Sequence, residues 1–398
     1  MAIGLWRLLG PVLVMAAVEV APATVSGAVP SDVVRCGTVV IADTTLSHDL
    51  TDCHGIGLVV GADHVVVDLN GHTVDGDGTA DAEGIEVTGR RGVTIANGTV
   101  TDFVEGVAIL NAHRVRVHDV TLTDHRHVGV FIDRSSEVSV RRARLSRIAF
   151  SAVFATRSTR LRIEHDRVTS SGGGVGLRHT TGSLVAHNHS ARTGCGGLLL
   201  YDGSRDNLVD SNVVVRDGCE GIVMHTGSDH NVIRHNRVRL SDAGVGIDQS
   251  HHNVISHNTL RGNQFVGVYA FGASDNRIHR NRLVGNGEGS EGGVHVLGDD
   301  SGRPSRRNAV TANMVRGSVG DGIWVEAGST ATSLVGNTVV GSTEDGIKVD
   351  EPRVTLTRNL TVHNRDRGIE AVLGVVDGGG NKARANGSTT QCLHVLCT

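Results

Sequence analysis

Three side chains that can move protons recur at nearly one interval in the second half of the chain. Asp248, Tyr269 and His295 each follow a glycine by two residues. His225 comes one interval before Asp248, four residues after its own glycine. Carboxylate, phenol and imidazole groups serve as general acids and bases, and aromatic rings stack on sugar faces. We therefore predict that these four residues are the catalytic residues of a site that handles a sugar.

Other residues at corresponding positions are predicted to bind the substrate. These cationic, aromatic and acidic residues are Arg178, Tyr201, Trp324, Glu326, Lys348 and Asp350. Glu326 and Asp350 are expected to be neighbours, which leaves two interpretations. They share protons, as the paired carboxylates of a retaining hydrolase do, or Lys348 and solvent neutralise them.

The elements that position these residues are defined by a repeat. A small residue followed by a short alternating apolar run occurs thirteen times, at intervals of 21 to 29 residues. The small residues are Gly84, Gly106, Gly129, Ala152, Gly176, Gly197, Gly221, Gly246, Gly267, Gly293, Gly322, Gly346 and Gly368. This period indicates a stacked solenoid, and the alternation indicates strands. In each copy the first and third residues after the glycine point inward, and the second and fourth point outward. Asp248, Tyr269 and His295 are therefore predicted in one outward column, ~5 Å apart.

One coil is longer than the others. Residues 298–307 are extra in the coil that begins at Gly293, and residues 286–293 just before it are also longer than usual. Insertions in a solenoid become surface loops, and loops on both sides of one strand often form the walls of a cleft. Arg303, Arg306 and Arg307 in the first loop are predicted to bind an acidic group of the substrate.

A second series, Asn-x-[Ile/Val/Leu]-x-x-Asn, runs in step with the first, as in residues 207–212 and 231–236. Asparagine tolerates the left-handed conformation of tight turns, and its amide can pair with the coils above and below. Two short strands and a stacked Asn turn in each coil resemble a right-handed parallel β-helix. The expected fold is therefore all-β, a single-stranded solenoid of about 13 coils.

The same residues resemble the pectin-lyase-like superfamily, which includes pectate lyases, polygalacturonases, mannuronan epimerases and the repeat protein of nitrous oxide reductase maturation. The resemblance implies that polysaccharide lies along the outward face of the strand after the glycine. The catalytic motifs of these families are mostly missing. Asp248-Gln-Ser-His251 keeps the acid of the epimerase motif Asp-Pro-His, but it lacks the proline and displaces the histidine by one residue.

The resulting hypothesis is an exported carbohydrate-active protein that binds an acidic polysaccharide and acts on it by lyase or epimerase chemistry. Arginine would neutralise the uronate carboxylate, His295 or Tyr269 would be the base, and His225 the acid. Glycoside hydrolysis stays open as a third reaction. Two alternatives are a non-catalytic glycan-binding or structural surface protein, and a periplasmic-type metal-handling repeat protein.

Four segments are predicted. Residues 1–28, with an apolar stretch behind Arg7 and small residues at the end, form a cleaved signal peptide. Residues 29–54 form an N-terminal cap, residues 55–376 the helix, and residues 377–398 a C-terminal cap. The protein is thus expected to be secreted, either extracellular or at the cell surface, with no membrane contact after cleavage.

The composition of the 398 residues agrees with a solenoid, since only 3% are aromatic and 5 are Pro, against 53 Gly. The net charge of −4 and the absence of an evident basic stripe argue against nucleic acid as a partner. A monomer is expected. Six cysteines in an exported chain suggest disulfides, with the pairs Cys36–Cys53, Cys195–Cys219 and Cys392–Cys397. For the second pair, two reduced thiols are the alternative.

Two groups of residues could bind metal, although no cofactor is identified. Asp75, Asp77, Asp81 and Glu83 place acidic oxygens along one loop, a pattern that can hold Ca²⁺. His187, His235 and His257 each precede a ladder asparagine, and stacked imidazoles bind transition metals or simply form a solvated corner.

Overall fold

The computed structural model describes residues 34–79, 81–287 and 291–398, which form a parallel β-helix of about 15 turns. Each coil contributes one short strand to each of three parallel sheets, here named A, B and C in the order of the chain. The described residues contain no helix, and therefore none long and apolar enough to cross a membrane. The predicted signal peptide lies outside the described residues.

Sheet A has sixteen strands, and each strand between the first and the last pairs with the strand one coil earlier and the strand one coil later. They are β1 Thr38–Val40, β4 Leu58–Val60, β7 Glu83–Thr88, β9 Glu105–Leu110, β11 Val128–Asp133, β14 Ser151–Thr156, β17 Val175–Arg178, β20 Leu198–Tyr201, β23 Glu220–His225, β26 Ala243–Asp248, β29 Val266–Phe271, β32 Val294–Leu297, β35 Ile323–Val325, β38 Ile347–Val349, β41 Ile369–Ala371 and β44 Cys392–Leu393.

Sheets B and C share two long strands, β8 Thr94–Thr101 and β10 Arg116–Thr123. The other strands of sheet B are β2 Thr44–Thr45, β5 Val66–Asp68, β12 Ser139–Arg141, β15 Arg162–Glu164, β18 Leu184–Ala186, β21 Leu208–Asp210, β24 Val232–Arg234, β27 Val254–Ser256, β30 Arg277–His279, β33 Ala309–Thr311, β36 Ser333–Val335, β39 Thr355–Thr357 and β42 Val376–Asp377. Those of sheet C are β3 Leu50–Cys53, β6 Thr73–Gly76, β13 Arg144–Ser146, β16 Arg167–Thr169, β19 His189–Ala191, β22 Val213–Val215, β25 Arg237–Arg239, β28 Thr259–Arg261, β31 Arg282–Val284, β34 Met314–Arg316, β37 Thr338–Val340, β40 Leu360–Val362 and β43 Lys382–Arg384.

The predicted fold class is confirmed, with about two coils more than expected. Three strands of sheet A lie outside the thirteen copies of the repeat, β1, β4 and β44, and all three pair within the helix. Of these, β1 and β44 lie within the segments predicted as caps, residues 29–54 and 377–398.

Aliphatic side chains fill the interior in continuous columns. In β23, for example, Ile222 and Met224 are completely buried, and they align with Val245 and Ile247 of the next coil. Each buried side chain of this size contributes ~1.5–3 kcal/mol through removal of apolar surface from water. Stacked Val, Ile and Leu therefore form the core that the composition predicted.

The predicted asparagine ladder is confirmed at the corner between sheets B and C. Asn188 Nδ2 donates to Asn212 Oδ1 at 3.0 Å, and Asn212 Nδ2 donates to Asn236 Oδ1 at 3.0 Å. The conformational part of the expectation was wrong, because the left-handed residues are the ones just before the asparagines, such as His187 and His235. Asparagine is needed here for its amide, which caps the backbone of neighbouring coils, and not for its φ angle.

All three predicted disulfides are present, Cys36–Cys53, Cys195–Cys219 and Cys392–Cys397. The first closes the segment around β1, the second joins adjacent coils beside sheet A, and the third closes the segment around β44. Cross-links at both ends reduce fraying of a solenoid, whose terminal coils have a neighbour on one side only.

The charge distribution corrects one premise of the sequence analysis. Exposed arginines do form a basic surface, on the outward face of sheet C. The linear sequence hides it because residues adjacent on this face are 22 to 32 positions apart in the chain.

Candidate functional site

The register of sheet A decides which side chains meet on its outward face. Each pairing skips the leading glycine: Glu220 pairs with Ala243, and Ile222 pairs with Val245, on either side of Gly221. A Cβ on Gly221 would collide with Val238 of the core, so both this residue and the next face inward. The chain therefore departs from strict alternation at this point.

This register corrects the predicted columns. Tyr269 and His295 are aligned, but Tyr269 pairs with Gly246, and Asp248 pairs with Phe271 in the second outward column. Two glycines stand two residues apart in this strand, and the one in the leading position is Gly244, not Gly246.

The same error affected one other coil. Its leading glycine is Gly174, so Gly176 aligns with Leu199. Arg178 consequently aligns with Tyr201 in the second outward column. With both glycines reassigned, the spacing of the repeat becomes more even, 22 and 23 residues around Gly174 and 23 on both sides of Gly244.

Four side chains from three consecutive strands, β23, β26 and β29, form what we call the proton-transfer cluster: Glu220, His225, Asp248 and Tyr269. His225 Nε2 lies 3.0 Å from Asp248 Oδ2. Tyr269 donates its hydroxyl proton to Glu220 Oε1 at 2.9 Å. The other ring nitrogen of His225, Nδ1, contacts Thr226 Oγ1 at 2.7 Å. Three of the four predicted catalytic residues are thus brought together.

Burial determines the protonation of this cluster. It raises the pKa of Asp248 to about 6, with His225 opposing the rise and Glu220, Asp299 and Asp300 adding to it. Burial also raises the pKa of Tyr269 well above its ordinary value, and the negative charges of Glu220 and Asp248 act in the same direction. Tyr269 is therefore a neutral phenol at physiological pH, and Asp248 changes its protonation close to neutrality.

Gly246 makes the contact between Tyr269 and Glu220 possible. The tyrosine ring lies over Gly246, where a Cβ would be 2.5 Å from the phenolic oxygen and 2.6 Å from Cζ. Any side chain at this position would push the ring outward. The absence of a side chain lets the hydroxyl of Tyr269 reach across a whole coil to β23.

His295 belongs to a second group, the stacked cluster of His295, Trp324 and Lys348. The rings of His295 and Trp324 stack with their centroids 4.4 Å apart, and Lys348 Nζ lies 5.0 Å from the Trp324 ring centroid. His295 Nε2 lies 3.0 Å from Glu326 Oε1, and the His295 side chain is only 4% exposed. We expected an exposed base at His295, but this side chain is covered and its Nε2 is occupied.

The two carboxylates expected to be neighbours have different partners. Glu326 pairs with His295, whose hydrogen bond lowers the pKa of Glu326. Asp350 accepts the indole proton of Trp324 at 2.7 Å. The structure therefore shows no contact that would make these two carboxylates share a proton.

The extra loop, residues 298–307, forms one wall of a cleft of about 420 Å³. The residues lining it are Thr226, Gly227, Gln249, His251, Gly272, Ser274, Arg303, Pro304, Arg306 and Arg307. Thr226, Gln249 and Gly272 directly follow strands β23, β26 and β29, so the cleft adjoins the proton-transfer cluster.

The arginines of this cleft differ in how far they are already paired. Arg307 makes two short contacts with Asp275, at 2.6 and 2.7 Å. Arg303 Nη1 donates to Gln249 Oε1 at 3.3 Å, and Arg303 Nε lies 3.4 Å from the buried Asp299 Oδ2, with the arginine side chain 66% exposed. Arg306 forms no ion pair with a described residue. Arg306 is therefore the cation of the cleft most free to meet an acidic group, and Arg303 could do so only while it also contacts Asp299.

The remaining predicted binding residues lie on the same face. Arg178 pairs with Asp202 at 2.8 Å, just before the cluster along the helix axis. Tyr201 lies in the row of aromatic side chains, with its ring centroid 6.4 Å from that of Phe154. Phe154 is in turn 6.3 Å from Phe131, with the rings nearly parallel.

The described residues contain no group of three or more His, Cys, Asp and Glu side chains that could hold a metal ion. In the predicted calcium loop, Asp77 contacts His54 at 2.8 Å and Asp81 pairs with Arg126 at 3.3 Å. Burial raises the pKa of both Asp75 and Glu83. The structure thus gives no support to calcium at this loop.

The corner histidines form short stacks without further ligands. His165 stacks on His187 with 5.0 Å between ring centroids, and the centroids of His235 and His257 are 5.4 Å apart. His235 Nδ1 also contacts Asp210 at 3.0 Å.

Sequence reasoning missed Glu220, and it gave Gln249 and His251 no place in the site although it compared residues 248–251 with the epimerase motif. Glu220 stands before its leading glycine, where strict alternation predicts an inward side chain. Gln249 and His251 lie in the turn after Asp248, a region that an analysis restricted to strand positions leaves out. The insertion at residues 298–307 was the available signal, because it indicated which turn the cleft would occupy.

Comparison with known families supports the fold. A model described as the right handed beta helix region matches residues 36–191. A model described as the periplasmic copper-binding protein (NosD) matches residues 150–292. The comparison with curated proteins gives no match.

Solved structures with a similar fold include two alginate-modifying enzymes. The A-module of the mannuronan C-5 epimerase AlgE6 from Azotobacter vinelandii has 15% sequence identity and a TM-score of 0.50, over 86% of this chain and 91% of that chain. A mutant of the periplasmic alginate epimerase AlgG has 10% identity and a TM-score of 0.53, over 81% of this chain and 77% of that chain. A tailspike protein mutant of an E. coli bacteriophage has 12% identity and a TM-score of 0.48, over 87% and 73%.

Proposed function

We propose that this chain, a right-handed parallel β-helix of the pectin-lyase-like kind, is an exported protein that binds an acidic polysaccharide along the outward face of sheet A. We further propose that it acts on the polymer by lyase or epimerase chemistry. One observation carries the proposal: a proton-transfer cluster and an arginine-lined cleft adjoin each other on three consecutive coils. The three disulfides support export, because such bonds persist in oxidising compartments.

The chemistry begins with a carbon acid. The proton on the carbon next to a uronate carboxylate is removable only if the charge that develops on the carboxylate is neutralised. In this proposal Arg303 or Arg306 binds that carboxylate from the cleft. The His225–Asp248 pair accepts the proton, and the electron pair of the broken C–H bond delocalises into the carboxylate. His225 and Asp248 are treated as one base because they are in direct contact.

Two outcomes follow from the same intermediate. A proton delivered to the opposite face of the carbon inverts its configuration, which is epimerisation. Alternatively, the bond between the adjacent carbon and the glycosidic oxygen breaks, a carbon–carbon double bond forms, and the leaving oxygen takes a proton. Tyr269, a neutral phenol, is the donor in either case: its O–H turns from Glu220 Oε1 to the substrate atom, and solvent then returns the proton to the phenol.

The supporting comparisons concern other proteins. Two solved structures with a similar fold are epimerases that act on mannuronan or alginate, both of which are acidic polymers. At 10–15% identity this similarity shows the fold, so the reaction is proposed on the residues of this chain. Metal handling, suggested by the NosD match, is not favoured, because the described residues present no group of metal ligands.

The experiment is solvent exchange. The purified protein is incubated in D₂O with alginate, polygalacturonate and hyaluronate, and the polymers are examined by NMR for deuterium on the carbon next to the carboxylate. Absorbance of unsaturated ends separates lyase from epimerase activity. We expect either deuterium incorporation or unsaturated ends on at least one polymer, and the loss of both in H225Q and D248N. H230Q, at a histidine that stacks on His252 and does not line the cleft, is the matched control and should retain activity.

A glycan-binding protein without turnover is the second candidate. The half-buried rings of Phe131 and Tyr201, on either side of the buried Phe154, favour it, because such rings stack on sugars without doing chemistry. Binding of a polymer with no deuterium incorporation and no unsaturated ends would establish this candidate and refute the catalytic one.

A further inference from the structure

Sheet C carries an exposed basic surface that the site on sheet A does not use. From β13 to β34, its outward side chains include seven exposed arginines: Arg144, Arg167, Arg237, Arg239, Arg261, Arg282 and Arg316. They fall in two parallel columns. In the first column, Arg144 aligns with Arg167, and Arg237 aligns with Val213 and Thr259. In the second column, Arg239 aligns with Arg261.

None of these seven arginines forms an ion pair with a described residue. Arginines elsewhere on the surface behave differently, since Arg142 pairs with Asp119, Arg147 with Asp124 and Arg307 with Asp275. No Asp or Glu occurs in the sheet C strands from β13 to β43. The positive charges on this face therefore have no internal compensation.

The basic surface has a definite shape. A cleft of about 260 Å³ is lined by Val213, Arg237, Val238, Arg239, Thr259 and Arg261. Five of the arginines belong to β25, β28, β31 and β34, four adjacent coils that span about 14 Å at ~4.8 Å per coil. Like charges at this spacing repel each other, so a partner that supplies regularly spaced negative charge would be attracted to this face.

We propose that the outward face of sheet C is a second binding surface for a linear acidic polysaccharide, which lies along the helix axis with its carboxylates or sulfates on the arginine columns. The identity of the polymer rests on the function proposed for sheet A. Guanidinium groups suit this role, because their paired N–H donors bind carboxylate and sulfate oxygens bidentately. The face would hold a long chain on the protein while another part of the chain occupies the sheet A site.

Other polyanions fit this face less well. Single-stranded nucleic acids are held by aromatic rings that stack on bases, and the sheet C strands from β13 to β43 contain no Phe, Tyr or Trp. An anionic membrane is a broad plane, whereas these arginines lie in two columns beside a narrow cleft.

The test compares two triple variants that remove the same charge. R237Q/R239Q/R261Q alters the basic surface, and R114Q/R134Q/R160Q removes three exposed arginines that pair with Glu137 or Asp133. Binding to immobilised alginate and polygalacturonate is measured at low and high NaCl. Vesicles rich in phosphatidylglycerol and a mixed-sequence DNA oligonucleotide are the alternative ligands. Thermal unfolding verifies that both variants are folded.

We expect the sheet C variant to bind long polymer at least ~10-fold more weakly at low salt, with a smaller dependence on salt, while the control changes less than ~2-fold. The activity of the sheet C variant on short oligouronates should be unchanged. Because polymer binding is measured separately from activity, the binding result can be interpreted even if the sheet A proposal fails. Equal losses in both variants would overturn the proposal, as would a defect confined to vesicles or to DNA. Unchanged binding of the long polymer by the sheet C variant would also overturn it.

Discussion

Asp166 stands at the start of the asparagine ladder and should be protonated there. Its backbone N–H donates to Asn188 Oδ1 at 2.9 Å, and Ala143 N–H donates to Asp166 Oδ1 at 2.7 Å. In the next coil the corresponding amide nitrogen, Asn188 Nδ2, donates to Ile163 O and to Asn212 Oδ1. Asp166 Oδ2 takes the place of that nitrogen but has no partner, and the residue is 2% exposed. An ionised oxygen there would face acceptors, whereas a protonated one can donate to them.

The energetic consequence depends on pH. Burial raises the pKa of Asp166 from 3.8 to about 7. Because the folded protein holds this proton more tightly than the unfolded chain, the native state loses stability as pH rises from about 4 to above 7. The full difference corresponds to roughly 4 kcal/mol. In the variant D166N the amide donates at every pH, so this loss should disappear.

The assay is urea unfolding of the wild type and D166N at pH 4.5 and pH 8, followed by circular dichroism. Hydrogen exchange of the Ala143 amide provides a local measurement, because this N–H is bonded to the side chain at position 166. We expect D166N to be more stable than the wild type by about 2–4 kcal/mol at pH 8 and by less than about 1 kcal/mol at pH 4.5.

D119N is the matched control with the opposite sign. The hydrogen bond from Arg142 lowers the pKa of Asp119, so its ionised form stabilises the native state above the ordinary pKa of aspartate. Its replacement should therefore lower stability at pH 8. The argument about Asp166 would be refuted by a D166N variant no more stable than the wild type at pH 8, or by an equal gain at both pH values.

Three further predictions concern the site and the ends of the helix. G246A should displace the ring of Tyr269 and reduce deuterium exchange, measured by NMR, by ~10-fold or more. G55A is the control and should leave exchange unchanged, because a Cβ at that position meets nothing within 4 Å. If the pair of His225 and Asp248 is the base, deuterium exchange should rise with pH and reach half its maximum near pH 6, where Asp248 ionises. A flat profile between pH 5 and 8 would exclude Asp248 from the removal of the proton. Removal of the Cys36–Cys53 bond by C36A/C53A should lower the stability of the first coils by ~2–4 kcal/mol, and unchanged hydrogen exchange in β1 would contradict this.

The comparison between sequence and structure is instructive at Gly244 and Gly246. Both glycines fit the repeat motif locally, and only the choice of the earlier one brings Asp248 into the second outward column. The more even spacing of the repeat would have identified Gly244. The inward turn of both Gly221 and Ile222, in contrast, has no signal in the local pattern, and for this reason Glu220 was missed.

His295 illustrates a second kind of limit. The motif correctly placed its side chain on the outward face, in line with Tyr269 and Trp324. Its burial results from the stacked ring of Trp324 and from the contact with Glu326, one coil later. An outward direction does not guarantee exposure when large neighbours in adjacent coils cover the side chain.

The sequence alone determined the period of the repeat, the parallel β-helix, the asparagine ladder and the three disulfides, because each depends on residues that recur at a fixed spacing along the chain. The tertiary structure decided which side chains meet: the proton-transfer cluster, the covered His295, the arginine-lined cleft and the basic face of sheet C. Those groupings depend on register between coils more than twenty residues apart. A shift of two residues in one strand moves a side chain to another column, and local composition does not encode that shift.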